Sequence, residues 1–313
     1  MISHYMTEKL TSRLAHEVIC SCCKKEAVNR IVSKVSGQIK KEAEAEEKKR
    51  PHAEFFEVLF KSLASHERRF RLALKKHWEE EERIVVANLK KLKKEWLKKN
   101  EEDIAESILF PKVKLAEKLT ESAKKIAIVA MTDKGQQELD RLGIDASFDI
   151  TSEWIEEWLK TYFPKFSEEF EAATIKELKI ELIEGIKAGE SIIDLTARVR
   201  SVFEGWEKTR AYTVARDQVL RASNKGSLNA MKQSGVVKKR IWITFFDDRT
   251  CIFCEEMDGK VMDIEENFFN EGDEFTIERD DKSMTMNLDY EDIDCGHLHC
   301  SCRCTIGAIF EEE

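Results

Sequence analysis

Three prolines and twelve glycines are all that punctuate 313 residues, and this scarcity of turn formers constrains the fold more than any other feature. Sandwiches and barrels need turn signals about every 8–12 residues, so an all-β architecture is excluded and a mostly helical one expected. At about 100–200 residues per domain, the length implies two or three domains. Hydrophobic residues make up 42% and charged residues 36% of the chain, enough for a sizeable core under a highly charged surface and too apolar for disorder as the main state. No window approaches the roughly 18 consecutive apolar residues of a membrane span. The N-terminal MISHYMTEKL lacks the apolar stretch of a secretory signal. The expectation is a protein made in the cytosol with its nine cysteines reduced, a setting in which clustered cysteines point to metal or catalysis more than to disulfides.

Charge is segregated along the chain. The net charge is −9, yet residues 241–313 hold 5 basic against 21 acidic residues, while Arg198 to Arg240 hold 11 basic against 3 acidic. The basic stretch could face phosphate or an acidic protein surface, whereas the acidic tail repels nucleic acid. Solvated helix faces are the plainer alternative for the basic stretch.

Apolar periodicity divides the chain further. From Thr7 to Lys49, Leu14, Val18, Ala27, Ile31, Val35 and Ile39 recur at helical intervals, and Cys20, Cys22 and Cys23 on this stretch read as packed side chains. Ala53 to Leu97 reads as a long helix, with Glu79 to Glu82 as a solvated face and Val85, Leu89, Leu92 and Trp96 as a narrow apolar stripe that needs a partner. Pro111 opens a helix through Met131, and Thr132 to Gly135 mark a turn. Gly143 to Ile150 is a connection. Thr151, Ser152 and Glu153 start a helix whose Trp154 and Trp158 are core, and periodicity continues through Ile175 to Ile186. Asp194 to Phe203 and Thr209 to about Gly235 are two more helices. The period then changes: Arg240 to Phe246 reads as a strand, Lys260 to Ile264 as its hairpin partner after the Asp258-Gly259 turn, and Thr305 to Phe310 as a third strand. Ile264 to Asp294, between them, is acidic enough to be an exposed excursion. The chain is therefore mainly α, with a long helical region at 1–170, a second helical part at 171–240, and a small, acidic, β-containing Cys/His module at 241–313.

Six of the nine cysteines and two of the seven histidines lie between Cys251 and Cys304. Cys251-Ile-Phe-Cys254 is a C-x-x-C on a strand-to-strand connection, and Cys295, His297, His299, Cys300, Cys302 and Cys304 follow. One pair from each half supplies a tetrahedral zinc and staples a module too small for much core. Thiols disfavour magnesium and calcium, and histidine favours zinc over iron. Disulfides or free thiols are the rival reading and a catalytic metal the third. The zinc-protease His-Glu-x-x-His is absent, since His16-Glu17 and His66-Glu67 lack the second histidine, and no cysteine follows a proline as in the zinc deaminases. There is no Gly-rich phosphate loop and no Gly-x-Ser-x-Gly turn. Asp247, Asp248, Glu255 and Glu256 crowd the knuckle and read as a solvated loop.

Taken together, Trp242, Asp248-Arg249-Thr250-Cys251, Cys254, Asp258-Gly259-Lys260 and His299-x-x-Cys302-Arg303-Cys304 resemble the C-terminal signature of the phage Mu F-like head morphogenesis proteins, the minor head proteins of tailed phages. Upstream, Ala215-Arg216, Asn224-Lys225-Gly226 and Ser234-Gly235 are similar to the helical half of that domain, so the resemblance covers about Ile175 to Ile309. The chain reads Ala215-Arg216-Asp217-Gln218 where the family usually has Ala-Arg-Thr-Glu. It also lacks the family's prolines around the histidines, carrying Cys295-Gly296-His297-Leu298 and His299-Cys300-Ser301 instead. The residues that match as zinc ligands are Cys251, Cys254, His299 and Cys302, with Cys304, Cys300, His297 and Cys295 as alternates.

The resemblance implies a non-enzymatic minor capsid protein that assembles in the host cytoplasm and resides in the virion, inside the capsid near the portal vertex. Its implied partner is the portal protein, with major capsid or scaffold protein and packaged DNA as further ones, and its implied role is in head assembly and genome packaging and ejection. No membrane is involved. Arg216, Arg221, Lys225, Lys232, Lys238, Lys239 and Arg240 are the candidates for contact with DNA or a partner. The competing reading is a zinc-dependent nucleic-acid enzyme or effector delivered with the genome, and a weaker third is a zinc-module DNA-binding regulator, which the acidity of that module opposes.

Overall fold

The computed structural model describes residues 52–91, 105, 108–109, 112–279 and 282–310. The expected helices between Thr7 and Lys49, with Cys20, Cys22 and Cys23, lie outside these residues, as do Leu92, Trp96, Leu97 and Pro111. Among the described residues, six helices and five strands follow in order: α1 (Ala53–Lys91), α2 (Lys112–Arg141), α3 (Glu153–Lys187), α4 (Ile192–Lys208), α5 (Arg210–Ser234), β1 (Lys239–Ile243), α6 (Ile252–Met257), β2 (Val261–Asp263), β3 (Asp273–Arg279), β4 (Lys282–Leu288) and β5 (Thr305–Ile309). The mainly helical class with a small C-terminal β-containing module holds. Among the described residues, no helix is long and apolar enough to cross a membrane.

The described residues divide into two compact units, one of residues 52–65, 129–150, 216–279 and 282–310, the other drawn from residues 66–128 and 151–215. Among its described residues, the second has helices as its regular elements. Its core draws Phe70, Leu74 and Trp78 from α1, Phe163, Phe170 and Leu178 from α3, and Leu195, Val199, Phe203 and Trp206 from α4. Trp78 is the hinge of the aromatic cluster, stacked on Phe170 at 5.8 Å and tilted against Trp206 at 6.0 Å. α4 begins with a capping box: Ser191 Oγ accepts from the Asp194 amide at 3.3 Å while Asp194 accepts from the Ser191 amide at 3.2 Å, so two otherwise orphaned donors are satisfied. The Glu79 to Glu82 run is not wholly a solvated face, because Glu81 is fully buried.

In the first unit, α2 does not turn at Thr132 to Gly135 but continues to Arg141. Gly135 is there for packing. A Cβ at Gly135 would fall 2.4 Å from the Phe148 ring, and Gln136 receives the connecting segment by accepting from the Phe148 amide at 2.9 Å and donating to the Ala146 carbonyl at 3.1 Å. The middle of α5, from Arg221 to Ala230, is buried at every position, so this polar helix (RASNKGSLNA) is enclosed by the unit. Gly226 permits a close approach of α5 to α2, since a Cβ would stand 2.5 Å from the Met131 carbonyl oxygen.

The sheet has order β2-β1-β5 and is antiparallel throughout, with Lys239 opposite Asp263 on one side and Ile243 opposite Thr305 on the other. The expected pairing of β1 with β2 is present, and the expected third strand, β5, lies on the other side of β1. The acidic stretch from Ile264 to Asp294 is not an exposed excursion: β3 and β4 form a regular hairpin in which Phe275, Ile277, Met286 and Leu288 are buried. Alternation of period two was present in DEFTIER and KSMTMNL, but the acidic residues occupy its outer face and hid it.

Candidate metal centre

The Cys/His residues sit on two connections of one sheet. Cys251 and Cys254 lie between β1 and β2, and His299, Cys302 and Cys304 precede β5, while β2 and β5 flank β1. Strand pairing thus fixes the separation of the two ligand segments independently of any metal. Cys251 caps the short helix α6 with an extended backbone (φ −83°, ψ 158°), and its Sγ accepts from the Cys254 amide at 3.4 Å. That first turn brings the two C-x-x-C thiols together.

His299 Nε2 lies 3.1 Å from Cys251 Sγ and 3.2 Å from Cys254 Sγ, and Cys254 Sγ lies 3.7 Å from Cys302 Sγ. Ligands at zinc distances of about 2.0–2.3 Å stand roughly 3.5–3.8 Å apart in a tetrahedron, so these spacings are those of a slightly contracted zinc shell. Two overlapping groups each have their donor atoms within 4.8 Å of one another: Cys251, Cys254 and His299, and Cys254, Cys302 and Cys304. All five side chains are buried, and these cysteines are free thiols. His299 Nδ1 faces the Cys300 carbonyl at 2.7 Å, which assigns the proton to Nδ1 and leaves Nε2 as a ligand atom. The residues present therefore fit zinc by number, type and spacing, with one thiol to spare.

Their electrostatics suit a cation. A hydrogen bond from the Cys254 thiol, helped by His299, lowers Cys251 to about 4. Burial works the other way at Cys302, yet hydrogen bonds from Cys254 and Cys304 hold it well below the ordinary thiol range. Burial raises Cys304. A bound zinc would draw the protons from these thiols and take up their charge.

A polar frame around the ligands escaped the sequence. Arg303, between two candidate ligands, grips Asp247 through two hydrogen bonds of 2.5 Å and covers the Phe245 ring at 4.7 Å. Thr244 Oγ1 donates to the Cys254 carbonyl at 2.7 Å and meets Cys304 Sγ at 3.6 Å. Asn224 on α5 donates to the carbonyls of Gly296 and Cys304, both at 3.0 Å, and accepts from Thr305 Oγ1 at 2.7 Å. Gly296 is required there, because a Cβ would fall 2.3 Å from Thr305 Cα.

Of the alternates, only Cys304 joins the cluster. His297 is turned toward α5, with Nε2 2.8 Å from Asp217 Oδ1 and Nδ1 2.6 Å from Arg221 Nη2. Asp217 Oδ1 also accepts from the Ser301 amide at 2.8 Å, so this acidic residue positions the ligand loop. Cys295 is buried beside Asp294 with its thiol pushed up by burial, and Cys300 is half-buried.

The basic candidates separate by burial. Arg221, Lys225 and Arg240 face inward: Arg221 pairs with Glu291, Lys225 with Asp294 at 2.5 Å, and Arg240 with three carbonyls, those of Asp294, Asp263 and Glu266. Their charge holds the acidic module to the rest of its unit. Arg216, Lys238 and Lys239 are exposed and Lys232 is half-buried beside Glu265 at 3.0 Å. A helix buried on all sides offers no sequence signal that separates inward from outward cations.

Residues 176–307 match the family model described as "Phage Mu protein F like protein". Neither curated proteins nor solved structures give a match. The matched stretch begins within α3 and ends within β5, so it takes in α5, the sheet, the β3–β4 hairpin and every candidate zinc ligand. This chain carries a phage Mu protein F-like segment at residues 176–307.

Proposed function

We propose that the protein is a minor head protein of a tailed phage or prophage, resident inside the capsid at the portal vertex, where it assists head assembly and genome packaging and delivery. The observation that carries this reading is the family match over 176–307, which encloses the Cys/His cluster and its polar frame as one piece. The role is structural rather than enzymatic. Five buried donors are more than a four-coordinate ion takes, and a shell closed by protein ligands has no position for substrate.

The ion is zinc, held by Cys251, Cys254, His299 and Cys302, with Cys304 as the spare. When bound, it ties the β1–β2 connection to the loop before β5. The partner is the portal protein, with major capsid or scaffold protein and packaged DNA as further contacts, and Arg216, Lys232, Lys238 and Lys239 are the outward cations available for an acidic surface or phosphate. Co-expression with the portal protein of the same phage tests the reading. Co-elution with the portal ring, together with detection of the chain in purified heads by mass spectrometry, supports it. Absence from both removes it.

A further inference from the structure

Outside the matched segment, the helical unit buries a second group of metal-type side chains. His77 and Glu81 stand one turn apart on α1, and Glu171 faces them from α3. Glu81 and Glu171 are 0% exposed and His77 is 7% exposed. His77 Nε2 contacts Glu171 Oε1 and lies 3.4 Å from Glu81 Oε1, and one ligand atom from each of the three residues lies within 4.8 Å of the others.

The hydrogen bonds do not account for this arrangement. Oε2 of Glu81 and Oε2 of Glu171 have no hydrogen-bond partner, and Oε1 of Glu81 has only the 3.4 Å ion pair with His77, although all three oxygens are buried. One imidazole nitrogen carries at most one proton and cannot satisfy two carboxylates. Arg210, the neighbouring cation, directs its hydrogen bonds to Thr174 Oγ1 at 3.1 Å and the Phe170 carbonyl at 3.4 Å. Around the group, the Phe170 ring stands 6.2 Å from that of His77 and stacks on Trp78 at 5.8 Å, and the Arg210 guanidinium covers Phe170 at 4.5 Å. Two orphaned carboxylate oxygens and a third held only by a long ion pair are costly in a buried core. A cation among them removes that cost.

We propose that His77, Glu81 and Glu171 bind one divalent cation of the zinc, manganese or iron(II) class. The imidazole disfavours magnesium and calcium, and the lack of thiols disfavours copper(I). Nε2 of His77 and one carboxylate oxygen from each glutamate lie close enough together to share one ion. The ion would pin α1 to α3 in the core of the helical unit.

The test uses full-length reduced protein, stripped of metal and titrated with Co2+ while absorption and bound metal are read together. The expected result is an equivalent that binds without thiolate-to-cobalt charge transfer, distinct from any equivalent that shows it. Glu81→Gln, which keeps shape and removes charge, should abolish the non-thiolate equivalent and leave the charge-transfer band unchanged. Cys251→Ser with Cys254→Ser should do the reverse, which separates failure of this site from failure of the thiolate site. Mn2+ should raise the melting temperature of the wild type and not of Glu81→Gln. If Glu81→Gln does not fold, Glu171→Gln gives the same reading. No non-thiolate equivalent in the wild type, its persistence in both variants, or an equal Mn2+ shift in wild type and variant would overturn the proposal.

Discussion

The side-chain amide of Asn224, in the buried middle of α5, donates to the carbonyl of Cys304 at 3.0 Å. The same amide reaches Gly296, and its oxygen receives Thr305, so one residue binds the ligand loop to the helix. Asn224→Ala removes one hydrogen bond from each of two buried carbonyls and from the Thr305 hydroxyl, at a cost of about 3 kcal/mol. Urea denaturation should show a clearly lower midpoint with an unchanged slope; an unaltered midpoint would mean that the loop is held elsewhere.

Arg240 and the pair Lys238 and Lys239 should behave differently although they adjoin in sequence. Arg240 is fully buried, covers the Phe268 ring at 4.9 Å and donates to three carbonyls. Arg240→Met should lose about 3 kcal/mol. Lys238→Gln with Lys239→Gln, on the exposed flank, should stay within about 0.5 kcal/mol of wild type in the same melt. Equal losses from both changes would contradict the separation of inward from outward cations.

Acid sensitivity follows from Asp247. Burial would raise its carboxyl, but the Arg303 guanidinium overrides burial and holds it at about 2 against an ordinary 3.8. A depressed carboxyl stabilises the fold above its unfolded value and loses that contribution as pH falls toward 2, an effect of about 2 kcal/mol. Asp247→Asn should therefore be less stable than wild type by about that much at pH 7, with the gap closing between about pH 5 and pH 2. A gap independent of pH would assign the loss to packing instead.

Gly226→Ala should destabilise by about 1–3 kcal/mol, because its methyl would meet the Met131 backbone carbonyl at 2.5 Å and neither helix backbone yields easily. Circular dichroism melts of Gly226→Ala beside Gly205→Ala, where the added methyl meets nothing within 4 Å, separate this clash from helix propensity. A Gly226→Ala melt as high as that of Gly205→Ala would sink the close-approach account.

Much of this architecture was legible in the sequence. Helical periodicity placed α3, α4 and the start of α5, and β-branched and aromatic runs placed β1, β2 and β5. The convergence of Cys251, Cys254 and His299, and of Cys254, Cys302 and Cys304, was suggested by thiols and imidazoles in paired spacing, which have few other uses. The misses share a cause: residue type did not reveal the environment. Gly135 read as a turn while serving packing against Phe148. Acidic outer faces concealed β3 and β4. Glu81 read as surface within its acidic run, and Arg240 read as a binding cation, although tertiary structure buries both. Asp217, Asn224, Asp247 and Arg303 act through partners at least 56 residues away, and no local pattern encodes such pairs.

The stapled module is tested most directly by titrating the thiols of reduced full-length protein with a thiol-specific mercurial while released zinc is read with a chromogenic chelator. The account predicts about one zinc per chain released as the Cys251, Cys254 and Cys302 thiols react, and no such release from Cys251→Ser with Cys254→Ser. Thiols that react freely with no zinc released would contradict it.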